Sequence, residues 1–415
     1  MDFPSIRDVD VQGKTVVMRV DYNLPLDEKG KITDHTRIST TLKTLNYVLN
    51  NDGKLVLISH LGRPKDREAH LRMNVVAERL NNLTGTVVRK LDSCTGTEVE
   101  EAVRNMKPGQ IVMLENIRFY PEETEKNAAV RDEFAKKLAK LGDIYVNEAF
   151  AASHRDHASI TGIPKFIPGC AGLSFMREVR MIDKIVGKPE KPYVAIIGGA
   201  KDDKMLCIES LLPKVDRILM GGVIGNTFLK AKGLDVGDSQ YDEALVGKAG
   251  ELLKKAGDKI LLPEDVVVEN AGTPEHFPVA EVRKGMNILD IGPQTVVHYK
   301  NALRHAKTVV WTGPLGVFEK KPYEKGTLYI ASFIAGLDAK TLVGGGDSIS
   351  AMKKLNMMER MTHISTGGGA FADYITRDKF PGIEALKESF RLHGDKLSMK
   401  KSVEGRGEHE HKGRC

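Results

Sequence analysis

Short apolar runs alternate with amphipathic stretches through most of the chain. The runs at 15–20, 55–59, 111–114 and 144–146 are rich in Val, Ile and Leu and predict strands buried on both faces. Between and after them, 37–49, 71–83, 98–106 and 125–141 carry apolar residues at helical spacing. The last sets Phe134, Leu138 and Leu141 against Lys136, Lys137 and Lys140. The pattern restarts with predicted strands at 194–197, 217–220, 259–262, 308–312, 341–343 and 363–365. Strand–helix alternation of this kind predicts doubly wound α/β sheets with right-handed crossovers. Ten strands are too many for one comfortable sheet, so the chain divides. Met176, Val179, Ile182 and Ile185 give the segment between the halves an amphipathic helix, ended by the prolines of KPEKP at 188–192. The expected organisation is a first domain over 1–171, a joining helix over 172–187 and a second domain over 188–393, whose C-terminal end can pack back on the first. Residues 394–415 are poor in apolar residues and predict a flexible tail.

Composition narrows the class. At roughly 150 residues per domain, 415 residues allow two or three domains. With 41% hydrophobic and 28% charged residues the chain is an ordinary globular protein. No run of 18 apolar residues occurs, and the opening MDFPSIRDVD lacks an apolar signal core, so no membrane or secretory role is expected. The net charge of +6 comes without a basic run of five or a basic stripe interleaved with aromatics, which argues against nucleic-acid binding. Cys94, Cys170, Cys207 and Cys415 form no CxxC pair and fit a reducing cytoplasm.

Ligands of open α/β sheets bind beyond the carboxyl ends of the strands. The two halves differ there. Residues 1–188 hold 12 glycines and 189–415 hold 28. In the second half the residues after successive strands are Gly198-Gly199, Gly221-Gly222, Gly313-Pro314-Leu315-Gly316, Gly344-Gly345-Gly346-Asp347-Ser348 and Gly367-Gly368-Gly369. Backbone N–H groups without a nearby Cβ, several at helix starts, suit a phosphate-bearing ligand. Neither a P-loop nor a G-x-G-x-x-G run occurs; Gly13-Lys14-Thr15 precedes a strand, not a helix. In the first half the corresponding positions carry Arg19, Asp21 and Asn23, then His60 and Arg63, then Arg118, then His154, Arg155 and His157, with Arg37 opening the first helix. Five arginines converging with histidines predict a site for a small polyanion. His154 and His157 lack a third ligand for a metal site.

The ordered runs RVDYNLPLD (19–27), ISHLGRP (58–64), LENIRFYPEE (114–123), HRDHASI (154–160), GGAK (198–201), DIGPQT (290–295), GPLGVFE (313–319), GGGDS (344–348) and STGGGAF (365–371) resemble the phosphoglycerate kinase family over about residues 5–390. The resemblance implies an α/β fold of two doubly wound parallel-sheet domains facing a cleft and joined by a helix. It implies an enzyme that moves a phosphoryl group reversibly between 1,3-bisphosphoglycerate and ADP, giving 3-phosphoglycerate and ATP, with Mg2+. It implies a cytoplasmic monomer or homodimer. By the same resemblance Arg19, Asp21, Asn23, Arg37, His60, Arg63, Arg118, His154, Arg155 and His157 bind the triose. Gly199, Lys201, Lys204, Gly221, Gly222, Pro314, Glu319, Gly344, Gly345, Gly346, Asp347 and Ser348 bind the nucleotide, with Asp347 the magnesium ligand. Arg37, Lys201, Gly346 and Gly369 form the catalytic set. The implied mechanism is charge neutralisation and domain closure, with no general base.

Two positions depart from the family pattern. Two residues, not three, separate Lys201 from Lys204, and Thr312 stands where asparagine is usual. A second reading, a non-catalytic phosphometabolite-binding relative, rests on these alone; a third, a different acid kinase on a related sheet, is opposed by the complete triose-binding set. Turnover of 3-phosphoglycerate with Mg-ATP separates all three.

Overall fold

The computed structural model describes residues 2–200, 203–377 and 379–400. The chain forms two compact units. The first comprises Met1–Ala149, Arg155–Met176 and Pro381–Cys415, the second Phe150–His154 and Arg177–Phe380.

In the first unit the strands are β1 (Thr15–Val20), β2 (Lys54–Ile58), β3 (Val88–Lys90), β4 (Ile111–Met113), β5 (Ile144–Glu148) and β6 (Gly169–Ala171). They form one sheet in the order β3-β4-β2-β1-β5-β6, every pairing parallel. Its helices are α1 (Thr36–Asn50), α2 (Asn74–Thr84), α3 (Thr97–Arg104) and α4 (Ala128–Ala139). The chain of α5 (Leu173–Ile182) crosses the division between the units and runs into a π-helical turn, Asp183–Gly187. This core is built on one face of β1 and β2 and on the apolar stripes of α1 and α2, including Val16, Met18, Leu55, Leu57, Leu45 and Val76. β1 is buried at all six positions, which accounts for its continuous apolar run.

The second unit carries β7 (Tyr193–Ile197), β8 (Arg217–Met220), β9 (Ile260–Leu261), β10 (Asp265–Asn270), β11 (Thr273–Pro278), β12 (Met286–Ile291), β13 (Thr308–Thr312), β14 (Lys340–Gly344) and β15 (His363–Ser365). Six of these form a parallel sheet in the order β15-β14-β13-β7-β8-β9. The helices are α6 (Asp203–Leu211), α7 (Gly222–Ala231), α8 (Val246–Ala256), α9 (Pro293–Leu303), α10 (Lys325–Ile334), α11 (Gly346–Lys354) and α12 (Gly369–Thr376). Strand order reverses between β7 and β13, so the loops after these two central strands open the crevice where such sheets bind ligands. Trp311, fully buried on β13, donates its indole N–H to the Gly313 carbonyl at 2.7 Å and holds that loop.

Two features differ from the sequence expectation. β10, β11 and β12 form a separate antiparallel sheet, order β11-β10-β12, that no strand forecast anticipated. β11 is largely exposed and reads TPEHFP, so it lacks the alternation that marks a half-buried strand. The edge strands β3 and β6 span three residues each, too short for a periodic signal. α13 (Pro381–His393) groups with the first unit, where the Ser389 hydroxyl accepts from the Gly169 N–H at 2.9 Å.

The expected tail is also corrected in part. Residues 394–400 are ordered against the start of the chain: Leu397 is buried in the first core, and Met399 bridges Val9 antiparallel. The Asp10 N–H donates to the Ser398 carbonyl at 2.7 Å and the Lys400 N–H to that of Asp8 at 2.9 Å. One leucine and two backbone bonds leave no periodicity to read. The remainder of the tail, 401–415, lies outside the described residues. No helix among the described residues is long and apolar enough to cross a membrane.

Candidate active site

The first unit gathers side-chain charge at its strand ends. Arg19, the fifth residue of β1, is 1% exposed. Its Nε donates to the Ser159 hydroxyl at 2.8 Å and its terminal nitrogen to His60 Nδ1 at 3.1 Å. Ser159 is itself fixed by buried Glu123, which accepts from its N–H at 2.9 Å and its hydroxyl at 2.6 Å. An arginine buried this deeply is held by a chain of polar partners because an unpaired buried charge is prohibitively costly. His157 Nδ1 lies 3.6 Å from the same Glu123.

Asp21 follows β1 and pairs with Arg37, in the first turn of α1, at 2.7 Å. Burial alone raises the Asp21 carboxyl, but the Arg37 charge and the neighbouring cations outweigh it and hold it below its ordinary value. Asn23 accepts from the Gly62 N–H at 2.8 Å, and the Gly62 carbonyl accepts from Arg118 at 2.7 Å. Burial, reinforced by the Arg19, Arg118 and Arg37 charges against the opposing pull of Asp21, keeps His60 well below the usual imidazole range. His60 is therefore neutral at pH 7. Because Arg19 donates to Nδ1, the ring proton sits on Nε2. Arg118 is lowered to about 10 by burial and by the charges of Arg155 and Arg19. That repulsion is the mark of cations assembled for an anion.

The structure thus brings Arg19, Asp21, Asn23, Arg37, His60 and Arg118 into one network, with Arg155 near enough to act on Arg118 and His157 joined through Glu123. Arg63 is exposed in the loop that carries Gly62. His154 groups with the second unit. Sequence reasoning missed Glu123 and Ser159; both lie inside the motif runs, but neither is an arginine or histidine.

The second unit gathers backbone. The Gly198 N–H donates to the Thr312 carbonyl and the Gly199 N–H to that of Pro314, both at 2.9 Å. The Gly222 N–H donates to the Leu315 carbonyl at 2.9 Å, and the Ile224 N–H to that of Gly199 at 3.1 Å. The loops after β7, β8 and β13 are therefore laced main chain to main chain. A Cβ on Gly313, whose φ is +83°, would stand 2.0 Å from the Gly198 carbonyl oxygen, so glycine there is a packing requirement. Gly346 and Gly369, the first residues of α11 and α12, differ: a Cβ on either meets nothing within 4 Å. Protein packing does not require glycine at these helix starts. Ser348 accepts from the Gly313 N–H at 2.6 Å and ties α11 to β13. Lys204 is buried and donates to the Thr312 hydroxyl at 2.9 Å. Lys201 lies outside the described residues.

A cavity of about 410 Å³ opens along these loops. Gly199, Gly221, Gly222, Pro314, Glu319 and Asp347 line it, all named from sequence. Residues Asn287 to Ile291 of β12 and Asp238 and Gln240 line it as well, and these were missed along with their sheet. The signal was faint: DIGPQT covers only the end of β12. Asp290, 2% exposed on that strand, is pushed up to about 8 by burial, although the N–H groups of Gly326 and Ile291 donate to it at 2.7 and 2.9 Å. Among the described residues no group of three or more His, Cys, Asp or Glu could hold a metal ion.

Comparison with known proteins agrees with this geometry. The family described as phosphoglycerate kinase matches residues 6–377. A phosphoglycerate kinase of Moorella thermoacetica is 44% identical over 393 residues, covering 92% of this chain and 99% of that protein. One from Rubrobacter xylanophilus is 44% identical over 394 residues, covering 94% and 99%. Among solved structures, phosphoglycerate kinase from Coxiella burnetii superposes with a TM-score of 0.82 at 33% identity, covering 93% of this chain and 99% of that one. The enzyme from Pyrococcus horikoshii gives 0.84 at 30% identity, covering 94% and 99%.

Proposed function

The chain belongs to the phosphoglycerate kinase family, and from that premise we propose that its first unit binds the triose phosphate and its second the nucleotide. The protein is a phosphotransferase with a carboxyl group as acceptor, moving a phosphoryl group between 1,3-bisphosphoglycerate and ADP. The residue roles that follow are the proposal.

Asp21 and Asn23 hold the triose hydroxyl, and Arg19, Arg63, Arg118 and Arg155 surround its phosphate and carboxylate. His60, His157 and His154 complete the polar shell, His60 as a neutral donor through Nε2. Arg37 faces the transferring group. On the other unit, the loops around Gly199, Gly221, Gly222, Pro314 and Gly344–Ser348 carry the nucleotide. Glu319 takes the ribose, and Lys201, Gly346 and Gly369 join Arg37 in stabilising the transferred phosphoryl. Asp347 lines the cavity beside the start of α11. One carboxylate together with nucleotide phosphates is the donor set magnesium accepts, and it fits an ion that arrives with the nucleotide. When bound, magnesium neutralises phosphate charge.

The attacking group is an ADP phosphate oxygen in one direction and a carboxylate in the other. Both are anionic at neutral pH, so no residue need abstract a proton. What remains is positioning, charge neutralisation and exclusion of water. With one substrate on each unit, transfer requires closure to bring the two to bonding distance. Among the described residues the buried thiols Cys94, Cys170 and Cys207 form no disulfide, which supports a cytoplasmic setting.

The observation that carries the site assignment is the cationic cluster around Asp21, where Arg19, Arg37, Arg118 and Arg155 face the carboxylates of Asp21 and Glu123. Its test is an assay of 3-phosphoglycerate with Mg-ATP, coupled through glyceraldehyde-3-phosphate dehydrogenase to NADH loss. Turnover that survives in Arg37→Ala rejects the assignment.

A further inference from the structure

The parallel strands β2 and β4 stay paired as far as Leu57 and Met113, and the Leu114 N–H donates to the Leu57 carbonyl at 3.0 Å. Beyond that point the main chains part, one into the loop that carries His60 and Gly62, the other into the turn that carries Arg118. One main-chain bond, from the Ile117 N–H to the Ser59 carbonyl at 3.0 Å, still joins them. The side chain of Asn116, fully buried, supplies the rest. Its Oδ1 accepts from the Leu61 N–H at 3.3 Å, and its Nδ2 donates to the Leu61 carbonyl at 2.8 Å. A primary amide offers a donor and an acceptor as a peptide unit does, so Asn116 pairs with Leu61 much as a neighbouring strand would. The second Nδ2 hydrogen goes to the Leu71 carbonyl at 2.8 Å, and Oδ1 also accepts from the Arg118 N–H at 3.1 Å.

Main chain thus fills all four hydrogen-bonding positions of this amide. A buried side chain with no donor or acceptor left over does not bind a ligand itself, so what it holds is the question. Leu61 lies between two residues of the site. On one side His60 meets the Arg19 guanidinium at 3.1 Å. On the other, the Gly62 N–H donates to Asn23 Oδ1 at 2.8 Å, and its carbonyl accepts from the Arg118 guanidinium at 2.7 Å. Arg118 is therefore fixed at both ends, its N–H on Asn116 and its guanidinium on the loop that Asn116 also holds. Buried Glu115 backs the arrangement, accepting from the N–H groups of Asn116 and Met73, each at 2.9 Å. Its charge is met by Arg72 and Lys90.

We propose that Asn116 is a positioning residue for the phosphoryl transfer: its buried amide splices the loop after β2 to the turn after β4 and sets Arg118 and His60 in place for the triose. Guanidinium recognition depends on direction as well as charge, so a shifted loop costs affinity although every charge of the site remains. The proposal rests on the triose reading of the first unit.

Calorimetric titration of the full chain with 3-phosphoglycerate and, separately, with ATP tests it in Asn116→Ala, Asn116→Ser, Arg118→Ala and the Asn116→Ala/Arg118→Ala double variant, each checked by thermal melting. Asn116→Ala is expected to weaken 3-phosphoglycerate about tenfold, the scale of one misplaced charge-assisted hydrogen bond, and to leave ATP within about twofold. In steady-state assays the same loss appears in KM for 3-phosphoglycerate, with KM for ATP unchanged. Asn116→Ser, whose hydroxyl can replace one of the four bonds, loses less and serves where the alanine variant does not fold. The double variant loses less than the product of the single losses, because part of what Asn116 contributes passes through Arg118. Affinity for 3-phosphoglycerate intact in the folded Asn116 variants overturns the proposal. So does an equal loss for ATP, or single effects that multiply in full, either of which marks a merely structural role. Failure of both Asn116 variants to fold overturns it as well, since the amide then serves folding and not position. Affinity for 3-phosphoglycerate intact in Arg118→Ala overturns the triose reading itself, and is distinguished by appearing with Asn116 unchanged.

Discussion

The two units build their strand-end loops by opposite means. The first uses side chains: Arg19, Arg37 and Arg118 are held by Asp21, His60, Ser159 and a glycine carbonyl, and the carboxylates of Asp21 and Glu123 face them. The second uses backbone: the loops after β7, β8 and β13 are laced main chain to main chain, and the glycines that start α11 and α12 meet nothing inside the protein. On the proposed assignment, the difference suits the two ligands. A small triose bisphosphate offers little beyond charge, and guanidinium forks read charge and geometry together. A nucleotide offers a base, a sugar and a run of phosphates, so a long cavity with N–H donors along one end fits it better than a cluster of cations.

Substitutions can break this contrast, and their expected effects fall in order. Arg37→Ala has the largest: turnover drops about 10²–10³-fold, the scale of removing one donor to developing charge, while nucleotide affinity by calorimetry is unchanged. A loss of nucleotide affinity in that variant would mean the units are not separate readers. Gly313→Ala comes next. With φ +83° and a carbonyl 2.0 Å from the new Cβ, it should destabilise the second unit by roughly 2–4 kcal/mol, seen as a lowered Tm. Gly346→Ala separates packing from binding on the same unit. Its Cβ has open space, so Tm should hold within about 2 °C while ATP affinity falls about tenfold. Equal loss of stability in both variants would erase the distinction between glycines kept for packing and glycines kept for approach.

The smallest effect is a pH dependence confined to the second unit. Asp290 is raised to about 8, so the folded chain keeps a proton that the unfolded chain releases near its ordinary carboxylate value. The group favours folding at low pH, and that contribution is lost as pH rises from about 4 through about 8. Asp290→Asn cannot ionise and should flatten the decline between pH 6 and 8 in denaturant titrations. An unchanged slope would show that the carboxyl is already ionised at pH 6.

Much of the first site is legible in the sequence. Arg19, Asp21, Asn23, His60 and Arg118 follow buried strands, and a parallel sheet delivers all its strand ends to one edge. Glu123 and Ser159 are not legible, because their part is to hold Arg19 and holding is a contact across the fold. In the second unit the glycine loops stand out by composition, but β12 and its share of the cavity do not. An antiparallel sheet with an exposed strand carries little periodic signal. The return of Pro381–His393 and of Leu397 to the first unit is likewise invisible as a contact, though the pattern allows it.

The sequence by itself determined the family and the two α/β halves, because strand and helix periods and strand-end residues are local properties of the chain. Only the tertiary structure decided which polar groups pair. Lys204 and Thr312 read as two separate losses along the sequence. The fold joins them in one hydrogen bond, since it brings the start of α6 to the end of β13, and no local pattern encodes a contact between residues so far apart in the chain.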